Sequence, residues 1–169
     1  MKTLYLAGGC FWGTEHFFRQ FPGVKETEVG YANGPTENPT YQEVCADSGH
    51  AETVRVVYDE AVISTESILD FYFMAIDPVS VNRQGHDEGI QYRTGIYYTD
   101  EALLPAIEAK MKEVASHFSE PLAVEVKPLE NFYSAEEYHQ KYLVKNPNGY
   151  CHLKPELFRL AETIKAGKN

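Results

Sequence analysis

The sequence predicts an α+β fold, on three observations. Segments that alternate apolar and polar residues are interspersed with segments of helical period. They do not recur at the regular spacing of βαβ units, which argues against a doubly wound parallel sheet. No repeat, low-complexity tract or linker divides the 169 residues, so one domain over residues 1–169 is expected, with residues 152–169 as a helical C-terminal tail.

The elements follow in order. Residues 3–7 read as a short buried strand, and Gly8-Gly9 turns the chain. Residues 10–21 carry Phe11, Phe17, Phe18 and Phe21 at helical spacing, and Pro22-Gly23 ends that helix. Residues 24–31 alternate as a strand, and Asn-Gly-Pro and Asn-Pro signals make 32–40 a loop. Val54, Val56 and Tyr58 share one face of a strand over 53–59. Residues 65–76 form an amphipathic helix behind a Ser64/Thr65 cap. The polar stretch 77–92 is a loop long enough to be functional. Then come a strand at 94–98, a helix at 101–118, a strand at 122–126, a short helix at 135–144, a turn at 147–149 and a final helix at 155–166.

Composition excludes several classes. Apolar residues make up 43% and charged residues 24%, so disorder, collagen and coiled coil are poor readings. With 15 basic against 25 acidic residues the net charge is −10, a field that repels phosphate backbones, so nucleic acid is not an expected partner. No run of 18 apolar residues exists, so no membrane partner is expected either. The first residues end in a cysteine like a lipoprotein leader, but the apolar stretch before Gly8 is too short for one. A cytoplasmic monomer is the expectation. Cys10, Cys45 and Cys151 are odd in number and far apart, which argues against a disulfide scaffold and a zinc site. No metal or cofactor is expected. Scattered thiols in a reducing compartment are either buried filler or reactive.

Cys10 is the first candidate for chemistry. A Gly-Gly turn leaves its side chain open, and the helix start offers free N–H groups and a partial positive charge, which favour thiolate. Phe11 and Trp12, the only Trp, follow at once and suggest an apolar pocket.

These residues lie in a specific string, Gly9-Cys10-Phe11-Trp12-Gly13-x-Glu15. Five more blocks follow in order. They are Asn38-Pro39-Thr40-Tyr41-x-x-Val44-Cys45, Gly49-His50-Ala51-Glu52, and Asp77-Pro78 with Asn82-Arg83-Gln84-Gly85-x-Asp87-x-Gly89-x-Gln91-Tyr92-Arg93. The last two are Phe132-Tyr133-x-Ala135-Glu136-x-Tyr138-His139-Gln140-x-Tyr142-Leu143 and Asn146-Pro147-x-Gly149-Tyr150-Cys151. The set resembles the peptide methionine sulfoxide reductase A family over residues 9–151.

The resemblance implies a two-layer, ferredoxin-like sandwich with long wrapping loops, and thiol-dependent reduction of the S epimer of methionine sulfoxide, free or in proteins. In that reading Cys10 attacks sulfur and becomes a sulfenic acid. Glu52 protonates the oxygen, which requires burial to raise its pKa. Tyr41 and Tyr92 donate hydroxyl hydrogens to the oxygen. Phe11 and Trp12 receive the substrate methyl, and Asp87 orients the substrate. Cys151 resolves the sulfenic acid to a Cys10–Cys151 disulfide, which thioredoxin reduces. Cys45 reads as core filler, and His139 as a hydrogen-bonding support. Two departures stand out: His86 occupies a position where many members carry Asn, and no second recycling cysteine follows Cys151. Two rivals remain at this level. One is a cysteine hydrolase using Cys10 with His50 or His139 as base, and the other is a thiol protein without turnover.

Overall fold

The structure is a computed structural model and describes residues 1–165; of the predicted tail, residues 166–169 lie outside the described residues. Eight strands are present among them: β1 (Lys2–Ala7), β2 (Val24–Ala32), β3 (Ala51–Tyr58), β4 (Arg83–Gln84), β5 (Asp87–Glu88), β6 (Gly95–Tyr98), β7 (Glu125–Pro128) and β8 (Phe132–Ser134). The α-helices are α1 (Phe11–Phe18), α2 (Tyr41–Cys45), α3 (Thr65–Ala75), α4 (Leu104–Ala115), α5 (Tyr142–Lys145) and α6 (Pro155–Lys165). Six strands form one sheet in the order β7-β6-β1-β3-β2-β8, antiparallel except for the β6–β7 pair, and β4–β5 is a separate hairpin. The α+β expectation therefore holds.

Period-2 alternation decides what the sheet buries. Leu4, Leu6, Val29, Tyr31, Val54, Val56, Tyr58 and Ile96 face one way, into a core shared with residues of α1, α3, α4 and α6. Ala7, Ala32, Ala51 and Tyr97 face the other way, under Tyr5, Leu129 and Phe132. Phe17 is fully buried and meets Phe18, Phe21, Phe71 and Phe158 edge-on, the geometry aromatic quadrupoles favour. Phe17→Ala is expected to cost about 3–5 kcal/mol of stability, read from a shifted midpoint in urea.

Several predicted boundaries need correction. α1 stops at Phe18, not Phe21. Pro22 disfavours helix at the residue before it, and the chain tightens instead, with Gln20 and Phe21 donating to the Phe17 and Phe18 carbonyls. The predicted helix at 101–118 is a 3₁₀ turn (Glu101–Leu103) followed by α4. The strand expected at 122–126 sits later, at β7, paired in parallel register from Gly95↔Glu125. The predicted helix at 135–144 is broken. A 3₁₀ turn (Glu137–His139) and α5 flank Lys141, whose φ is +51°. Competing hydrogen bonds cause the break. The Gln140 amide accepts from Val29 N–H and donates to the Val29 carbonyl, and Lys141 N–H donates to the Glu15 carboxylate at 2.7 Å. α2 and β8 went unpredicted. α2 starts from a capping box in which Thr40 Oγ1 accepts from Glu43 N–H and the Glu43 side chain accepts from Thr40 N–H.

Candidate active site

The β1–α1 junction is built for close approach. Gly9 has φ +77°, and a Cβ there would stand 2.7 Å from His152 Nε2. Gly9 N–H donates to the Tyr92 carbonyl at 3.2 Å, which ties the 3₁₀ turn (Ile90–Tyr92) to Cys10. Cys10 is the N-cap of α1, and its side chain makes no capping hydrogen bond. Its thiol is buried, 7% exposed. Burial pushes the thiol pKa far up and the Glu52 carboxylate adds to that, against the pull of the Trp12 backbone N–H. The thiolate expected from the helix N-terminus is therefore corrected. The helix acts as foreseen, but desolvation is larger, and the resting thiol keeps its proton.

Glu52 reaches the same point from below. It stands opposite Tyr31 in the β2–β3 register and on the face of Val54, Val56 and Tyr58, so alternation buries it beneath α1. Its Oε1 accepts from Phe11 N–H at 3.2 Å, while Oε2 has no partner among the described residues. Burial raises its pKa to about 8, opposed by the Phe11 N–H and helped by Asp87.

Tyr41 is the first residue of α2, and its backbone N–H donates to Glu136 Oε2 at 3.0 Å. Burial raises the hydroxyl pKa of Tyr41 and of Tyr92, and the Glu52 carboxylate adds in both, so both phenols stay protonated donors. Phe11 is buried against Tyr31 and His139, at centroid distances of 5.7 and 5.3 Å. Trp12 donates from Nε1 to His139 Nδ1 at 3.0 Å and stacks on Tyr142 at 3.8 Å and 12°. Asp87 lies in the β4–β5 hairpin, where its Oδ1 accepts from the Tyr150 hydroxyl at 3.0 Å and its buried Oδ2 has no partner among the described residues. That contact, after burial, raises the Tyr150 pKa to about 12. His86 is exposed in the turn of the same hairpin.

Cys151 lies over the first turn of α1. A Cβ on Gly13 would stand 2.8 Å from its Sγ, so the missing side chain makes room for the second thiol. Burial raises its pKa, against the Leu153 backbone N–H. The three cysteines are free thiols. Cys151 also borders a groove of about 890 Å³ lined by His16, Leu143, Gly149, Leu153 and Phe158, in whose lining Cys10 takes no part.

Cys45 corrects another expectation. It is exposed at the end of α2, because so short a helix turns only Val44 inward. The histidines proposed as hydrolase bases are otherwise employed. His50 is fully buried, with Nδ1 on Ser48 Oγ at 2.9 Å and Nε2 on the Thr36 carbonyl at 2.8 Å. His139 is buried, its Nδ1 already accepting from Trp12, and it walls the site beside Tyr41. It is the hydrogen-bonding support that was expected.

Two carboxylates went unassigned in the sequence. Glu136 accepts from the Tyr31 hydroxyl at 2.7 Å and from Tyr41 N–H, and so holds Tyr41 in place. Burial would raise its pKa, but the Tyr41 N–H and Tyr31 hydroxyl hold it below the usual carboxylate range. Glu15 accepts from Thr27 Oγ1 at 2.9 Å and from Lys141 N–H, which fixes the segment that stacks Tyr142 on Trp12. The available signal was Glu15 in the first string and Glu136 in the fifth, since a Glu taken even partly out of water needs partners.

Comparison with known proteins gives consistent likenesses. The family described as peptide methionine sulfoxide reductase matches residues 2–167. The peptide methionine sulfoxide reductase MsrA of Lachnoclostridium phytofermentans is 58% identical over 153 residues, covering 90% of this chain and 92% of the relative. The reduced form of Mxr1 from Saccharomyces cerevisiae superposes with a TM-score of 0.85 at 39% identity, over 90% of this chain and 91% of that one. The structure of Mxr1 in complex with Trx2 aligns at a TM-score of 0.59 and 28% identity, over 83% and 84% of the two chains.

Proposed function

The chain belongs to the peptide methionine sulfoxide reductase family, and from that premise we propose which of its residues perform the reaction. The activity is thiol-dependent reduction of methionine sulfoxide to methionine. Cys10 is the attacking thiol and Glu52 the proton donor. The observation that carries this reading is the Glu52 carboxyl, with one oxygen tied to the N–H after Cys10 and the other buried without a partner among the described residues. A pKa of about 8 keeps it protonated at pH 7. Glu52 gives its proton to the sulfoxide oxygen and takes the thiol proton as Cys10 sulfur attacks. The oxygen ends as a hydroxyl on Cys10. The substrate sulfur gains two electrons and the Cys10 sulfur loses two.

Tyr41 and Tyr92 supply neutral O–H donors to the oxygen. Phe11 and Trp12 take the methyl, and Asp87 orients the rest of the substrate. The S epimer places oxygen toward Glu52 and methyl toward the rings, whereas the other epimer would bury oxygen against aromatic faces without a partner. Cys151 closes the disulfide with Cys10, supported by the room that Gly13 leaves for its sulfur. Thioredoxin then reduces the bond, as the Mxr1–Trx2 complex suggests by analogy.

The same reading includes the finer fold. A two-layer ferredoxin-like sandwich is supported by the succession β1–α1–β2–β3–α3–β6 with strand order β6-β1-β3-β2 and helices on one face. One domain over 1–169 is supported by a main core cluster that draws on residues from Leu4 to Ala161. A cytoplasmic location is supported by the small, odd number of cysteines, spaced too widely to read as a disulfide scaffold.

The test is turnover of the two epimers of N-acetylated methionine sulfoxide with dithiothreitol. Consumption of the S epimer alone is expected. Equal consumption of both would overturn the pocket assignment. Cys151→Ser is expected to lose thioredoxin-driven turnover while still releasing one methionine per enzyme, measured by rapid quench.

A further inference from the structure

His152 has no part in the mechanism so far, yet its ring packs against the two glycines that flank Cys10. It follows Cys151 in the chain, and its ring is wedged between the glycine before Cys10 and the glycine three residues after it. A Cβ on Gly9 would meet Nε2 at 2.7 Å, and one on Gly13 would meet Nδ1 at 3.3 Å and Cys151 Sγ at 2.8 Å. Both ring nitrogens are buried without a well-formed hydrogen bond among the described residues. The nearest polar backbone group is that of Gly8, whereas both nitrogens of His50 hold Ser48 and Thr36, and Nδ1 of His139 holds Trp12.

Resting on the assignment of Cys10 and Cys151 above, we propose that His152 carries the proton of the resolving step. Its imidazole takes the thiol proton of Cys151 as that sulfur attacks the Cys10 sulfenic acid, and returns it to the departing hydroxyl. The S–O bond breaks and the S–S bond forms. The sulfenic sulfur is reduced, the Cys151 sulfur is oxidised, and one water leaves, so no outside oxidant is needed.

The step needs such a group because burial raises the Cys151 pKa and leaves little thiolate at pH 7. The charged and titratable groups around the ring are Asp87, the Cys151 thiol beside it at Gly13, Cys10 next in the chain to Gly9, and Asp77, Lys154 and Glu156 along a neighbouring cavity of about 580 Å³. Burial lowers the imidazole pKa, against Asp87 and the Gly8 backbone, so the ring is neutral and basic at pH 7.

The test mixes enzyme with excess methionine sulfoxide, without reductant, and quenches at intervals. Methionine release reads the first half-reaction, and loss of free thiol with formation of the Cys10–Cys151 disulfide reads the second. In His152→Gln the disulfide step is expected to slow at least about tenfold relative to methionine release in the same sample. In wild type that step stays level in pH through neutrality, while in the variant it climbs with the thiolate fraction. Added imidazole restores the rate in His152→Ala. An unchanged rate and pH profile in the variants would overturn the proposal, as would a wild-type rate that itself climbs with the thiolate fraction. The wild-type profile decides the matter even if a variant fails to fold. Methionine release without any disulfide in wild type would instead overturn the assignment of Cys151.

Discussion

Cys10→Ser is expected to abolish turnover, by roughly ten-thousand-fold or more, and at the same time to stabilise the fold. The loss follows from the nucleophile, since a serine hydroxyl neither ionises at accessible pH nor accepts an oxygen atom from a sulfoxide. The gain follows from its place in the chain. Cys10 is the N-cap of α1, and its side chain caps nothing. Serine is among the residues preferred there, because its oxygen accepts from the free N–H groups of the first turn. A gain of about 1 kcal/mol is expected, read by urea unfolding beside the turnover assay. Turnover retained by this variant would move the nucleophile elsewhere.

Glu52→Gln is expected to lower kcat by about 10²–10⁴-fold and also to stabilise the protein. In wild type, activity falls as pH rises through about 8, where the acid loses its proton, and the variant loses that limb. Because the folded pKa lies above the ordinary 4.5, the fold favours the protonated carboxyl. The stability it contributes is full below 4.5 and is lost as pH rises to about 8, while the unfolded chain ionises first. A neutral amide escapes that loss, which amounts to about 3 kcal/mol at pH 7. A variant less stable than wild type at pH 8 and more stable at pH 4 would reverse the sign and contradict the buried-acid assignment. Both functional residues thus sit where an inert residue would be more stable, the usual cost of activity.

How far the sequence revealed this site depends on the range of the interactions concerned. β1, β3 and α3 were legible because local periodicity and a Ser64 cap specify them. The burial of Glu52 was legible in principle, since it continues the alternation of Val54, Val56 and Tyr58. The break at Lys141 was not, because the carboxylate that causes it belongs to Glu15, 126 residues away. β8 is a three-residue edge strand with no pattern of its own. For Cys10 the sequence showed the helix start but not the depth of burial, so it gave one of two opposing effects on the thiol, and the weaker one. Tyr41 and Tyr92, 51 residues apart in number, both feel the Glu52 carboxyl only because Glu136 holds the one and Gly9 the other. Their roles came from the family resemblance.

The contacts of Trp12 make the enzyme its own spectroscopic probe. It is the only tryptophan in the chain, it neighbours the reacting thiol, and its indole is both stacked on Tyr142 and bonded to His139. All indole fluorescence therefore originates beside the chemistry, with no second emitter to dilute it. Sulfoxide docking, oxidation of Cys10 and closure of the disulfide each alter the polarity or quenching around that ring. Excitation near 295 nm, a wavelength that spares the 12 tyrosines, can follow the oxidative half of the cycle, from docking to disulfide, in real time without a label or a quench.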